Sequence, residues 1–121
     1  MASPQRVARL CEEIKRNASD ILQKMKDPRL GFVTVTGVEL TSDLRYTRIY
    51  VSVLGDDQEI ERTMQALESG TGHIRSQLGQ RIALRYTPEV SFHRDRSAEI
   101  GSHIEQLIAQ LHKDEEARND S

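Results

Sequence analysis

The chain has 121 residues, of which 36% are hydrophobic and 30% charged, with a formal net charge of −2 and no tryptophan. This length suits one domain with a modest core, and the regular recurrence of valine, isoleucine and leucine argues against disorder along the whole chain. The near-neutral balance excludes a uniformly basic coat for nucleic acids, although an acidic tail can hide a basic face in the sum.

The first predicted element is a helix. Ser3 can cap it, and Pro4 suits its first position, where the missing amide is not needed. Residues 27–31 end it, because their proline removes a donor and their glycine tolerates a turn. Between these signals one apolar stripe is predicted to face the core, made of Val7, Leu10, Cys11, Ile14, Ala18, Ile21, Leu22 and Met25.

Two strands follow as a predicted antiparallel hairpin. Residues 32–40 alternate between apolar and polar side chains, and Gly37 among them indicates a bulge. Residues 46–54 form the second strand, after residues with turn chemistry. Tyr46 and Tyr50 share its outer side, where they could stack on bases, although packing within the protein is the favoured interpretation.

A helix with a glycine-containing interruption comes next. Asp57 is its predicted cap, and apolar residues at helical spacing give it a buried stripe. The interruption at residues 69–72 is followed by renewed helical spacing up to a predicted end at Gly79. Because each glycine inside a helix costs about 1 kcal/mol relative to alanine, a break or kink is predicted at the interruption.

A third strand is predicted over residues 83–92. Pro88 cannot donate to a ladder, which places this strand at a sheet edge or gives it a bulge. A last helix is predicted over residues 97–111, before a charged tail at 113–121 without regular structure. The order of elements predicts one α+β domain, residues 1–112, whose small sheet is covered by helices on one face.

The sequence offers little for catalysis or metal binding. No histidine has a partner at metal-site spacing, the four being His73, His93, His103 and His112. Cys11 falls in the apolar stripe of the first helix, so a buried thiol is favoured over a nucleophile. The sequence shows no nucleotide-binding motif, signal peptide or membrane span, and one cysteine cannot form an internal disulfide. We therefore expect a cytoplasmic protein that is not an enzyme and needs no cofactor.

The interruption between the two middle helices is the most informative feature. A helix that starts near His73 directs unpaired amides and the positive end of its dipole at a phosphate. Arginines on this helix, the next strand and the first helix could follow an RNA backbone. The candidate RNA-binding residues are Arg6, Arg9, Arg16, Gly70, Thr71, Gly72, His73, Arg75, Arg81 and Arg85. Two other interpretations stay open: a kink that only fits the sheet, and arginines that only keep the surface solvated.

Several short motifs, in this order and spacing, resemble the ribosome-binding factor A family from about residue 6 to residue 111. They are Asp27-Pro28-Arg29, VTVTGVELTSDL at 33–44, IYVS at 49–52, GHIR at 72–75, RYTPEVSF at 85–92, and Asp95 with Ser97. The resemblance implies a type II KH-like domain, with a three-stranded sheet and a kinked helix pair. KH domains have a Gly-x-x-Gly loop, whereas this family has a shorter Ala-x-Gly interruption, and here Gly70 stands in place of that alanine.

Members of this family bind the small (30S) ribosomal subunit, so the resemblance implies a non-catalytic assembly factor. It further implies binding to 16S rRNA, assistance with late maturation and 5′-end processing, and a role in growth in the cold. No small-molecule substrate, metal or membrane is expected, and a monomer is the default for a chain with so large a partner. Two alternatives remain: a generic KH-type module for single-stranded RNA, and a protein–protein adaptor.

Overall fold

The computed structural model describes residues 2–119, and the side chains of all of these except positions 98, 99, 101, 102, 118 and 119. This part of the chain forms four helices and three strands, in the predicted order. Their bounds are α1 Pro4–Lys24, β1 Phe32–Leu40, β2 Tyr46–Leu54, α2 Asp57–Ser69, α3 Thr71–Arg81, β3 Glu89–Arg94 and α4 Ser97–Asn119. The predicted α+β class is confirmed.

Helix α1 begins where the sequence predicts. The Oγ of Ser3 accepts a hydrogen bond from the amide of Arg6 at 3.2 Å, and Pro4 occupies the first turn. A hydroxyl cap satisfies one free amide, and a proline at this place has none to satisfy. The buried side of the helix packs mainly on β1 and consists of Leu10, Ile14, Ala18, Ile21 and Leu22.

The sheet has the order β1-β2-β3, with β1 antiparallel to β2 and β2 parallel to β3. The predicted hairpin and bulge are confirmed, because the register shifts between Val35 and Gly37. Ile49 and Val51 on the central strand are fully buried beneath the first three helices. The other face of the sheet, which carries Tyr46 and His93, is exposed in the part of the chain described. Helices α1, α2 and α3 therefore cover one face of the sheet, as predicted.

The cap of α2 differs by one residue from the prediction. Asp56, not Asp57, accepts a hydrogen bond from the amide of Glu59 at 2.8 Å, and the Glu59 carboxylate accepts one from the Asp56 amide at 3.4 Å. This reciprocal arrangement requires a glutamate three residues after the cap, and that spacing selects Asp56.

The segment between α3 and β3 also departs from the prediction. Helix α3 runs past Gly79 to Arg81, and β3 begins at Glu89 instead of position 83. A Cβ atom on Gly79 would lie 2.6 Å from the Oγ1 of Thr87. This glycine therefore lets the helix and the following segment approach each other, and it does not end the helix.

Asp95 lies two residues before the start of helix α4 and binds its first amide. The Asp95 carboxylate accepts hydrogen bonds from the Ser97 amide at 2.8 Å and from the Thr36 hydroxyl at 2.7 Å. Hydrogen bonds from Ser97 and Thr36 lower the pKa of Asp95 to about 2. The apolar stripe that follows is 49–63% exposed and consists of Ile100, Ile104, Leu107, Ile108 and Leu111. This stripe lies outside the core of the described chain.

Residues 113–119 continue α4, whereas the sequence predicts a tail without regular structure from position 113. The division into a domain at 1–112 and a tail at 113–121 stays a prediction. Position 1 of that domain and positions 120–121 of the tail lie outside the described residues.

Candidate nucleic-acid interface

Gly70 alone separates α2 from α3, and the predicted kinked helix pair is confirmed. Its amide donates to the Ala66 carbonyl at 2.9 Å, and its carbonyl accepts from the Ile74 amide at 3.0 Å. One residue therefore ends the first helix and begins the second. Its φ of −89° is negative and does not require glycine, but a Cβ atom at this position would lie 3.0 Å from Cε of Met25 and 3.2 Å from the Ala66 carbonyl oxygen.

The start of α3 is open to a ligand. The Thr71 hydroxyl donates to the carbonyls of Leu67 at 3.0 Å and Glu68 at 2.9 Å, so it closes the end of α2. No side chain caps α3 within the described part of the chain. Gly72 and His73 are exposed, and a Cβ atom on Gly72 would meet nothing within 4 Å. An uncapped helix start of this kind favours an anion.

Arg75 is held by the protein itself. Its Nε donates to the Pro88 carbonyl at 3.0 Å, and a terminal nitrogen donates to the Thr87 carbonyl at 2.8 Å. The same nitrogen lies 3.6 Å from the Glu89 carboxylate. These contacts connect α3 to the segment before β3. Arg75, which the sequence predicts to contact RNA, therefore stabilises the fold.

Arg81 is also engaged within the fold. Its guanidinium lies 2.6 Å from the carboxylate of Asp20, which Lys24 approaches at 3.0 Å. The hydrogen bonds from Arg81 and then Lys24 lower the pKa of Asp20. The pair joins the end of α3 to α1, and the three side chains together carry one net positive charge.

Arg9 and Arg16 are two of the three arginines of α1, and both face solvent without a partner in the described part of the chain. No hydrogen bond or ion pair engages either guanidinium among the described residues. They are seven positions apart, which is about two helical turns and about 10 Å along one side of the helix. Two unpaired guanidiniums at this spacing can contact phosphates along a nucleic-acid strand.

Arg6 and Arg85 come together, although the sequence places them in separate elements. They line a cavity of about 480 Å³ that also includes Arg45, from the turn between β1 and β2, and Tyr86. We call this site, formed by Arg6, Arg45, Arg85 and Tyr86, the arginine cavity. The RNA-binding residues predicted from the sequence do not include Arg45 and Tyr86, since no periodicity links a hairpin turn to the segment before β3.

The exposed face of the sheet has a different character. The rings of Tyr50 and His93 lie 5.6 Å apart, centroid to centroid. A cavity of about 510 Å³ beside them is lined by Arg48 together with Glu39 and Glu89. Two carboxylates against one guanidinium make this face less suited to phosphate than α1 or the arginine cavity.

Other groups give no sign of a reactive centre. Cys11 is half-buried, and burial raises the pKa of its thiol. Within the described residues no three His, Cys, Asp or Glu side chains are placed to share a metal ion. None of the described helices combines the length and apolarity needed to cross a membrane.

A model of the ribosome-binding factor A family matches residues 6–108 of this chain. Two curated proteins of that name are similar along most of both chains. The one from Staphylococcus epidermidis is 47% identical over 111 residues, which cover 91% of this chain and 96% of the relative. The one from Halothermothrix orenii is 46% identical over 114 residues, which cover 93% of each chain.

Solved structures of the same factor share the fold. The crystal structure of ribosome-binding factor A from Thermus thermophilus has a TM-score of 0.68 at 27% identity, covering 75% of this chain and 98% of that one. A homology model of the Thermus factor, fitted into the cryo-EM map of a 30S complex with it, has a TM-score of 0.61 at 27% identity. That match covers 71% of this chain and 91% of the other.

Proposed function

Because this chain belongs to the ribosome-binding factor A family, we propose that it binds the small ribosomal subunit and contacts 16S rRNA during late assembly. The homologue from Thermus thermophilus was fitted into the map of a 30S complex, which supports a subunit partner for this chain as well. The predicted RNA-binding residues define the surface to be tested.

The observation that carries the proposal is the pair of unpartnered arginines on α1, together with the uncapped start of α3. Arg9 and Arg16 supply charge, while Gly72 and His73 leave backbone amides open to a phosphate. Contacts of this kind position a protein on RNA with little regard to sequence. Recognition then depends on the shape of the folded rRNA.

The proposed mechanism is structural and involves no catalysis. A protein that binds one rRNA arrangement more tightly than others shifts the population toward that arrangement. We propose that the chain holds such an arrangement during maturation and 5′-end processing of 16S rRNA, acts in the cytoplasm, and matters most for growth in the cold. It acts as a monomer and uses no cofactor in this scheme.

Co-sedimentation with small subunits, large subunits and intact ribosomes, at low and moderate salt, tests the proposal. We expect selective binding to small subunits that weakens as salt rises, because phosphate contacts release counterions. Arg9→Glu/Arg16→Glu should lower the affinity at least about tenfold and reduce the salt slope by about 2. Thermal unfolding should change only slightly, since neither guanidinium has a partner in the fold and each new like-charge pair along α1 costs only about 0.2–0.5 kcal/mol.

Arg62→Glu is the matched control. Arg62 is an exposed arginine on α2, outside both α1 and the arginine cavity. Its reversal changes the net charge by as much as Arg9→Glu or Arg16→Glu alone, so it is compared with these single variants, and it should leave subunit binding intact. Absence of binding to small subunits, or equal losses in the control and the double variant, would contradict the proposal.

A protein–protein adaptor is the second candidate, and one observation favours it. The apolar stripe of α4 is exposed, as expected of a helix that packs on another protein. Subunit binding that is insensitive to salt and to Arg9→Glu/Arg16→Glu, but lost in Ile104→Asp, would favour this alternative.

A further inference from the structure

The arginine cavity gathers positive charge from three separate parts of the chain. Arg6 comes from the first turn of α1, Arg45 from the end of the hairpin turn, and Arg85 from the segment before β3. In the described residues none of the three guanidiniums has a hydrogen bond or ion pair with a protein acceptor. Three like charges that line one cavity repel each other, and an anion bound in the cavity would offset this repulsion.

Asp43 is the one acid that lines this cavity, and its carboxylate is already engaged. It accepts hydrogen bonds from the Thr41 hydroxyl at 2.6 Å and from the Arg45 amide at 3.1 Å. Both bonds belong to the hairpin turn and lower the pKa of Asp43. The cavity therefore keeps an excess of two positive charges.

The walls of the cavity are fastened to one another. The amide of Ala2 donates to the Ser42 carbonyl at 3.0 Å, and the amide of Glu89 donates to the Arg45 carbonyl at 2.8 Å. Leu44 has a φ of 62°, in the left-handed region that residues other than glycine rarely adopt, and its side chain packs against the core. The packing of Leu44 thus fixes the backbone conformation of the turn, and with it the position of the Arg45 backbone.

Tyr86 adds an aromatic surface beside these charges. The guanidinium carbon of Arg85 lies 5.6 Å from the centre of its ring, within the range of a cation–π contact. The side chain nevertheless remains 74% exposed. An exposed ring next to unpaired guanidiniums is an arrangement that binds an unstacked base together with its phosphate.

We propose that the arginine cavity binds one unstacked nucleotide of single-stranded RNA, with its phosphate among Arg6, Arg45 and Arg85 and its base against Tyr86. This inference rests on the proposed function in taking RNA as the partner. It adds a site that the kinked helix pair does not contain, at the opposite end of α1 from Gly70, which lies beside Met25.

Fluorescence measurements on the whole chain test the inference. The protein has three tyrosines and no tryptophan, so a Tyr46→Phe/Tyr50→Phe background leaves Tyr86 as its one fluorescent reporter. Titration with a short single-stranded oligonucleotide, hexaadenylate, should quench this emission as a base stacks on the ring. In the natural background, Arg45→Glu and Tyr86→Ala should each weaken oligonucleotide binding by about tenfold, while Tyr86→Phe and Arg62→Glu should not.

Three outcomes would overturn the inference. One is equal oligonucleotide affinity in the wild type, Arg45→Glu and Tyr86→Ala, with Arg45→Gln measured as well in case the reversal disturbs folding. The second is binding of free AMP as tight as that of hexaadenylate, which would assign the cavity to a mononucleotide. The third is equally tight binding of an acidic peptide such as hexaglutamate, which would assign it to a protein partner.

The outcomes also separate this inference from the proposed function. If the wild type binds small subunits but Tyr86 shows neither quenching nor an effect on oligonucleotide affinity, the cavity inference fails while the function stands. If Tyr86 and Arg45 control oligonucleotide binding but the wild type binds no subunit, the function fails while the cavity inference stands.

Discussion

Two groups of arginines in this protein differ in what engages them. Arg75 donates to two backbone carbonyls, and Arg81 is paired with Asp20. Arg9 and Arg16 have no such partner in the described part of the chain. Positive charge in a sequence therefore differs from charge available to a ligand. A guanidinium held by the protein offers a phosphate fewer of its five donors, and one paired with a carboxylate also has its charge partly offset.

Arg75 is engaged because the segment before β3 needs donors. Pro88 is buried and has no amide, and this stretch precedes the first residue that pairs with β2. Buried carbonyls outside a helix or ladder are costly unless another group donates to them. The guanidinium supplies donors to two consecutive carbonyls, which a solvent-facing arginine does not do.

The largest expected difference between the two groups is in stability. Arg75→Ala should lower the free energy of unfolding by about 2 kcal/mol, since hydrogen bonds from a charged donor contribute more than neutral ones. Arg9→Ala and Arg16→Ala should each change it by less than about 0.5 kcal/mol. Urea unfolding followed by circular dichroism measures the free energy of unfolding of all three variants. Equal losses in the three would contradict the distinction between engaged and free arginines.

Gly79→Ala tests the same contact between α3 and the segment before β3. A new Cβ atom would lie 2.6 Å from the Oγ1 of Thr87, the residue whose carbonyl Arg75 binds. We expect a loss of about 1–2 kcal/mol, because overpacking outweighs the gain in helix propensity. In a double variant with Gly79→Ala, Thr87→Ser keeps the hydroxyl oxygen that the new Cβ atom meets, whereas Thr87→Ala removes it. If Thr87→Ala fails to relieve the loss, the close contact is not its cause.

Gly72→Ala is the matched change at the open end of the same helix. A Cβ atom there meets nothing within 4 Å, so we expect the free protein to become more stable by about 0.5 kcal/mol. Subunit affinity should nevertheless fall, because a methyl group obstructs close approach of a phosphate to the helix start. Unchanged affinity in co-sedimentation would exclude close contact of RNA with the backbone at this place.

The smallest effect concerns the pKa of Asp20. Arg81 and Lys24 lower it, so their contacts stabilise the folded protein above the ordinary carboxyl pKa of about 4. This contribution is lost as the pH falls through the lower folded value. In an NMR titration Arg81→Ala should raise the pKa of Asp20 toward its ordinary value, while Arg9→Ala should leave it in place. A pKa of Asp20 that is the same in Arg81→Ala would show that the pair is not formed in solution.

Local signals predict much of the fold because they act over a few residues. The Ser3 cap, the following Pro4 and the alternation of β1 and β2 each specify a conformation through neighbouring backbone and side-chain atoms. The errors occur where distant contacts decide. Gly79 resembles a helix end in sequence, but Thr87 packs against it, and α3 continues.

In the candidate site, too, some features can be predicted from local sequence and others depend on distant contacts. Cation-rich elements and the glycine break can be recognised from residue types alone, and the structure keeps the break where the sequence predicts it. Residue types alone do not show which of the arginines lack a partner in the fold. No motif marks Arg45 or Tyr86 as a binding residue, although Tyr86 lies in the motif RYTPEVSF. The two residues meet Arg6 and Arg85 because the hairpin turn and the segment before β3 are brought to one end of α1.

The sequence by itself determined the order of the elements, the class of the fold, the break at Gly70 and the resemblance to a family. The first three follow from apolar periodicity, caps and turn residues, whose effects are local, whereas the resemblance follows from short motifs in a particular order and spacing. The tertiary structure alone decided that Arg75 and Arg81 serve the fold, that α4 keeps its apolar stripe outside the core, and that three arginines share one cavity. Each of these depends on which groups far apart in the chain come within hydrogen-bonding or packing distance, and residue types along the chain do not encode that distance.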